Sequence, residues 1–346
     1  MVLYRYHIKK GRKDMKKCTK LILAATTMVT LGAFTGLAAN AEENTVKAGF
    51  IFLHDENSTY DLNFINAAKE ACDKMGIEYV FKTGIPEGQE CYEAACELAD
   101  AGCNFVFADS FGHEDYIIEA AREFPDVQFC HATGTKAHTE EMDNFHNAFA
   151  SIYEGRYLAG VAAGMKLQEM IDNGEIKAKD AVIGYVGAYT FAEVISGYTA
   201  FYLGAKSVCP SVTMMVEFIG SWGDPTMEAA TAQDLIDRGA VLISQHSDST
   251  TPATTAQSAG KFHVGYNLDM TDVAPEASLI SSRIDWTNYF VYVIETIVNG
   301  GIVDQDYKEH GFAEGDVALT TLNESIAAAG TADKLAEVEA ALADGS

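Results

Sequence analysis

Apolar positions along this chain come in two alternating textures. Short continuous runs of β-formers are separated by longer stretches in which apolar residues recur three and four apart. A run of the first kind reads as a buried strand and a stretch of the second as an amphipathic helix. In the first half this gives strands at Val46 to Leu53, Ile77 to Phe81, Cys103 to Ala108 and Val127 to His131. Helices are predicted between them at Phe64 to Met75, Glu90 to Ala101 and Asp115 to Phe124, ended by Gly76, Gly102 and Pro125. A second round follows: helices at Tyr153 to Met170, Phe191 to Gly204, Pro225 to Arg238 and Thr250 to Gly260, with strands at Ala181 to Val186, Thr213 to Ile219, Val241 to Ser244, His263 to Tyr266 and Leu279 to Ile284. Trp286 to Asn299 and Ala332 to Leu342 read as closing helices. Such β-α alternation with short connections predicts an α/β fold with two doubly wound parallel sheets, and no internal sequence repeat relates them.

Five of the runs end in small polar or aromatic clusters: His54-Asp55, Ser110-Phe111-Gly112, Thr133-Gly134, Tyr189-Thr190 and His246-Ser247-Asp248. Ligands of open parallel sheets bind outside the carboxyl ends of the strands. Clusters repeated in both rounds therefore predict a ligand cleft between two sheets.

The N-terminus changes which ligands are plausible. Lys16, Lys17 and Lys20 precede an apolar stretch, Leu21 to Ala39, and Ala39-Asn40-Ala41 is a small-x-small cleavage site. Residues 1–41 thus read as a secretory signal peptide, with Met15 an alternative start, rather than as a membrane anchor, whose span tolerates fewer glycines than Gly32 and Gly36 supply. Cys18 lies before the apolar stretch, so no lipid-anchoring cysteine is seen. Eight of the 24 Lys and Arg and one of the 50 acidic residues lie in this leader, which leaves the remaining 305 residues with a net charge of −33. Nucleic-acid binding needs basic patches, so that class is excluded, and an anionic membrane surface would repel the chain. Six cysteines follow the leader, at Cys72, Cys91, Cys96, Cys103, Cys130 and Cys209. Their places in strand runs and on apolar helix stripes favour buried thiols over disulfides.

Catalytic patterns are weak. "HSDST" (His246 to Thr250) sets three triad residue types side by side, but a triad is a spatial arrangement. There is no G-x-S-x-G and no Walker motif, and "GYVGAY" (Gly184 to Tyr189) lacks the third glycine of a dinucleotide loop. His131, His138 and His146 span a strand end and a loop, a poor basis for a shared metal. No cofactor, metal or catalytic set is expected. Binding chemistry is better represented: Tyr60, Phe111, Tyr189 and Trp222 can stack on a planar ligand, although Phe111 or Tyr189 could equally pack under its own loop. Asp248 can accept N–H or O–H donors, or it can cap the helix that begins near Thr251-Pro252.

Long segments in order carry a family resemblance. "ADSFGHEDYIIEAAREFPDVQFCHATGT" (Ala108 to Thr135), "SIYEGRYLAGVAAG" (Ser151 to Gly164), "IGYVGAYTFAEVISGYTAFYLGAKSVCP" (Ile183 to Pro210) and "GSWGDPTMEAATAQDLIDRGAVLISQHSDST" (Gly220 to Thr250) resemble the basic membrane protein (PnrA/Med-like) substrate-binding proteins. The likeness runs from about Lys47 to Gly300. It implies a type I periplasmic-binding-protein-like fold, two lobes joined by a hinge, with residues 42–150 plus about 283–305 in one lobe and 151–282 plus about 306–346 in the other. It further implies a monomeric, exported, non-enzymatic protein at the outer face of the plasma membrane or in a periplasm, which hands a purine nucleoside or base to an ABC permease. The implied contacts are Tyr60, Asp61, Asn63, Ser110, Phe111, Gly112, Thr133, Gly134, Tyr153, Tyr189, Trp222, His246, Asp248 and Asp269. Two departures bear on the ligand. The first loop, "HDENSTYDLNF", is not the Gly/Trp-rich form common in the family, and no lysine follows "GYNLDM" (Gly265 to Met270) where nucleoside binders hold the ribose. The second tilts the expectation towards a free base. The end at "ALADGS", where relatives often add a strand, suggests truncation. A nucleosidase-type hydrolase and a ligand-sensing receptor module are the alternative readings.

Overall fold

In strand β1 (Lys47–Ile51) successive side chains feed different cores, which is why the whole run is apolar. Ala48 and Phe50 pack with Phe105 and Phe107, whereas Ile51 packs with Leu98, Val106 and Ala108. A strand covered on both faces needs apolar residues at every position. The fold is taken from a computed structural model that describes residues 45–345, so the expected leader lies outside the described residues.

The first sheet contains β1, β2 (Glu78–Lys82), β3 (Phe105–Ala108), β4 (Gln128–Ala132), β5 (Phe145–Phe149) and β11 (Asp306–Lys308), in the order β11-β5-β4-β3-β1-β2. The second contains β6 (Val182–Gly187), β7 (Thr213–Phe218), β8 (Leu242–His246), β9 (Phe262–Tyr266), β10 (Ser278–Ile284) and β12 (Val317–Leu319), in the order β12-β10-β9-β8-β6-β7. The two orders are the same, and every pairing is parallel except β10 with β12. Each sheet reverses its strand order once, between β1 and β3 and between β6 and β8, and that switch point is where an open α/β sheet presents a crevice.

Helices α1 (Thr59–Met75), α2 (Gln89–Asp100), α3 (Glu114–Glu123) and the short α4 (Ala137–Glu140) belong to the first round. α5 (Ile152–Asp172), α6 (Ala192–Val208), α7 (Pro225–Asp237) and α8 (Thr251–Ser258) belong to the second, and α9 (Thr287–Val298) and α10 (Thr331–Asp344) close the chain. Their ends follow local chemistry. Ser58 caps α1 by accepting the Asp61 N–H, and Gly76 ends it at φ 66°, a left-handed conformation that glycine adopts without strain. Asp224 caps α7 through the Thr226 and Met227 N–H groups, with Pro225 in the first turn.

α9 returns to the first sheet after the chain has laid down five of the six strands of the second. Phe290 meets Phe50 and Phe107 edge-on, with ring centroids 5.2 and 4.9 Å away, and Trp286 stacks on Phe64 at 4.5 Å. Segments passing between the sheets bond to one another: Ser151 N–H to the His310 carbonyl (2.7 Å) and Asp285 N–H to the Asp316 carbonyl (2.8 Å).

β5 is absent from the apolar pattern because His146 and Asn147 interrupt it. Tertiary partners satisfy both: His146 Nε2 pairs with Gln128 Oε1 (2.8 Å), and Asn147 accepts the Ala137 N–H and donates to Glu114. β11 and β12 are three-residue edge strands whose sequences carry no alternation long enough to read. No disulfide joins the six described cysteines. No described helix is long and apolar enough to cross a membrane.

Candidate functional site

The carboxyl ends of the two sheets meet around one cavity. From the first sheet come Leu53, beyond β1, Tyr60 on α1, Ser110 and Phe111 beyond β3, and Thr133 beyond β4. The second sheet supplies Glu193 at the start of α6, Trp222 beyond β7, and His246 and Asp248 at the end of β8. The space among them, counted together with open solvent at its mouth, is about 310 Å³.

Asp248 is held in place by its neighbours, not by its own side chain. Buried Glu228 on α7 accepts the hydroxyls of Ser247 (2.9 Å) and Ser249 (2.7 Å), so both flanking residues are fixed. The Asp248 N–H donates to the Trp222 carbonyl (2.9 Å), and its carbonyl accepts the Thr59 N–H across the cleft (2.8 Å). The N-cap of α8 is Thr250, which makes no side-chain cap bond, and the Thr251 N–H donates to Ser249 Oγ (3.1 Å). The cap reading of Asp248 is therefore set aside. Its carboxyl is 4 % exposed and makes no hydrogen bond within the described residues. Burial, then the carboxylates of Asp61, Glu228 and Glu193, push its pKa well up, against the pull of Arg156. A carboxyl so placed can both accept and donate a hydrogen bond.

A second buried carboxyl system lies behind the first-sheet wall. Asp61 accepts the His54 N–H (2.7 Å) and the Ser58 hydroxyl (2.5 Å), and its Oδ2 lies 3.2 Å from His54 Nδ1. Burial would raise its pKa, but these bonds overcome burial and lower it. Asp109 goes the other way: burial and then the Asp61 charge raise it, and its Oδ2 has no partner. Tyr60 donates its hydroxyl to the Asp109 carbonyl (2.9 Å), which turns its ring to the cavity wall.

Thr133 adopts φ 61°, a left-handed conformation costly for a β-branched residue. Its buried hydroxyl lines the cavity without a partner. The turn is imposed from below: Glu114 Oε1 accepts the N–H groups of Thr135 (2.7 Å) and Lys136 (2.8 Å). Gly134 sits where a side chain would overlap His131, Asn147 and Glu114. Ser110 donates to Glu87 (2.6 Å), as does the Gly112 N–H (2.9 Å), so this loop is tied to the one after β2.

An aromatic group closes the mouth. Phe191 stacks on Tyr189 (5.2 Å between centroids), lies 5.8 Å from Trp222, and meets Phe111 of the opposite lobe at 4.9 Å. Phe191 is 38 % exposed, so its role is not core packing. Phe191→Ala is expected to speed ligand dissociation about fivefold, since an aromatic pair contributes about 1 kcal/mol beyond its area. Stopped-flow displacement reads this directly, and an unchanged rate would leave the pair without a role in closure.

The remaining candidates lie elsewhere. Asn63 donates to the Ile284 carbonyl (2.8 Å), and with Asp269 it borders a separate polar hollow beside α1. Asp269 accepts from Thr271 in its own loop. Tyr153 is 52 % exposed at the start of α5. His131 gives Nε2 to the Ser110 carbonyl (2.6 Å), and burial takes its pKa down to about 3. Leu53, Phe191 and Glu193 were not singled out in the sequence, although Phe191 and Glu193 directly follow the Tyr189-Thr190 cluster.

Two lobes with matching strand order, joined by several crossings and lined at their facing strand ends, define a periplasmic-binding-protein-like fold. A family model, ABC transporter substrate-binding protein PnrA-like (Bmp), matches residues 52–344, and the chain belongs to that family. A purine-binding protein of Brucella abortus is 35 % identical over 274 residues, 78 % of this chain and 73 % of that protein. A putative ABC transporter glucose-binding protein of Haloferax volcanii is 30 % identical over 267 residues, 75 % of this chain but 63 % of that protein, so this chain spans less than two thirds of it. Among solved structures, an ABC transporter solute-binding protein of Conexibacter woesei superposes with a TM-score of 0.69 at 18 % identity, covering 87 % of this chain and 97 % of that one.

Proposed function

We propose that this protein captures a purine base or nucleoside outside the cytoplasm and delivers it to an ABC permease, by closing its two lobes on the ligand. The observation that carries the reading is the cavity itself, where the Asp248 carboxyl has no hydrogen-bond partner among the described residues and stands beside Trp222 and Phe111. Rings to cover a flat heterocycle and a buried carboxyl to take its N–H groups are what a nucleobase requires. No lysine follows Gly265 to Met270 to hold a ribose, which favours a free base over a nucleoside. The purine-binding relative supports the ligand class, and membership of a substrate-binding family supports capture over hydrolysis. Export by the leader at residues 1–41 and a monomeric state belong to the same reading.

Isothermal calorimetry with adenine, guanine, hypoxanthine, their nucleosides and glucose tests it. Binding of one or more bases is expected, with nucleosides weaker. Heat with glucose and none with any purine would overturn the ligand class while leaving the family intact.

A further inference from the structure

We propose that the cavity sorts purines by charge: it admits neutral bases that offer N–H donors and rejects anionic purines of the same size. The inference rests on the purine reading above and names which purines qualify. Among the described residues no lysine or arginine lines the cavity, while two carboxyl groups do, Glu193 and Asp248, both on the second-lobe wall. The hydroxyls opposite them, on Ser110 and Thr133, are neutral.

One cation whose charge reaches Asp248, Arg156, does not line the cavity. Arg156 is fully buried on α5, its guanidinium lies 3.5 Å from the centre of the Tyr266 ring, and it donates to the Gln245 carbonyl (3.0 Å). The Tyr266 ring in turn lies 4.6 Å from the His246 ring, so His246 stands between this layer and the cavity. His246 supplies no positive charge either, because burial and the nearby Arg156 lower its pKa, with Glu193, 3.5 Å away, opposing. An anion entering this space would lose its water and meet two carboxyls, with no lysine or arginine on the lining to balance its charge. A neutral base offering N–H groups meets acceptors that are already desolvated and have few protein partners.

Urate and hypoxanthine make the comparison cleanly, since both are purines without ribose and urate is anionic at neutral pH. By calorimetry at neutral pH, hypoxanthine or adenine is expected to bind at least about 100-fold more tightly than urate. Glu193→Gln and the double variant Glu193→Gln/Asp248→Asn are expected to narrow that ratio about tenfold or more, by improving urate and weakening the neutral bases. Circular dichroism confirms that each variant is folded, and if the double variant is not, Glu193→Gln alone carries the test. If the neutral bases bind and urate binds equally well, or if Glu193→Gln leaves the ratio unchanged, charge sorting is overturned and the purine reading survives. If no purine binds at all, the purine reading fails and this inference with it.

Discussion

Asp248→Asn is expected to weaken purine binding about 30-fold or more, roughly 2 kcal/mol, and at the same time to stabilise the ligand-free protein at neutral pH. Both effects have one cause. The carboxyl is buried among other carboxylates and has no hydrogen-bond partner within the described residues, so its folded pKa lies well above the usual 3.8. A group whose folded pKa is raised favours the native state fully below its unfolded pKa. That contribution is lost as pH climbs through the folded value. Asparagine does not titrate and is spared that loss. The thermal midpoint of the variant should therefore exceed that of the parent near neutrality, and the gap should shrink as pH falls towards about 4. Calorimetric affinity and melting curves across this range measure the two halves separately. A variant that loses stability at neutral pH and keeps its affinity would show the carboxyl to be structural.

The second large effect concerns stability. Gly204→Ala is expected to destabilise the second lobe by about 3 kcal/mol, because inserting a carbon between well-packed helices forces backbone to move. α5 and α6 are pressed together at glycines: a Cβ on Gly204 would lie 1.9 Å from the Tyr157 carbonyl oxygen, and one on Gly160 2.0 Å from that of Phe201. Neither neighbour is a flexible side chain that can swing away. The displacement also reaches the cavity, since Glu193 stands on the first turn of α6. Urea unfolding with and without ligand should show a lowered midpoint together with weaker binding. An unfolding free energy within about 0.5 kcal/mol of the parent would mean that the helices separate without cost.

Much of the architecture was legible because each central strand is covered on both faces and so carries an uninterrupted apolar run. What escaped was stabilised from elsewhere in the chain. β5 places His146 and Asn147 in its interior, and only Gln128, Glu114 and Ala137 make that tolerable. The strand-end clusters could be read because topology alone puts strand ends at the crevice. Glu193 and Phe191 could not, since their position depends on where α6 starts and on the approach of Phe111 from a different lobe. Sequence neighbours also part company: Tyr60 faces the cavity, Asp61 is buried beneath it, and Asn63, one turn along α1, reaches the Ile284 carbonyl.

The hydrogen bond from the Thr59 N–H to the carbonyl of Asp248 separates two tasks within one residue. The side chain of Asp248 lines the cavity, while its main chain clasps the opposite lobe. Exchanging that side chain can alter which molecule is welcomed without erasing the clasp, because every amino acid brings the same carbonyl. Relatives that differ in cargo could thus share one shutting motion, and the partner that recognises the shut form need not evolve with each new cargo.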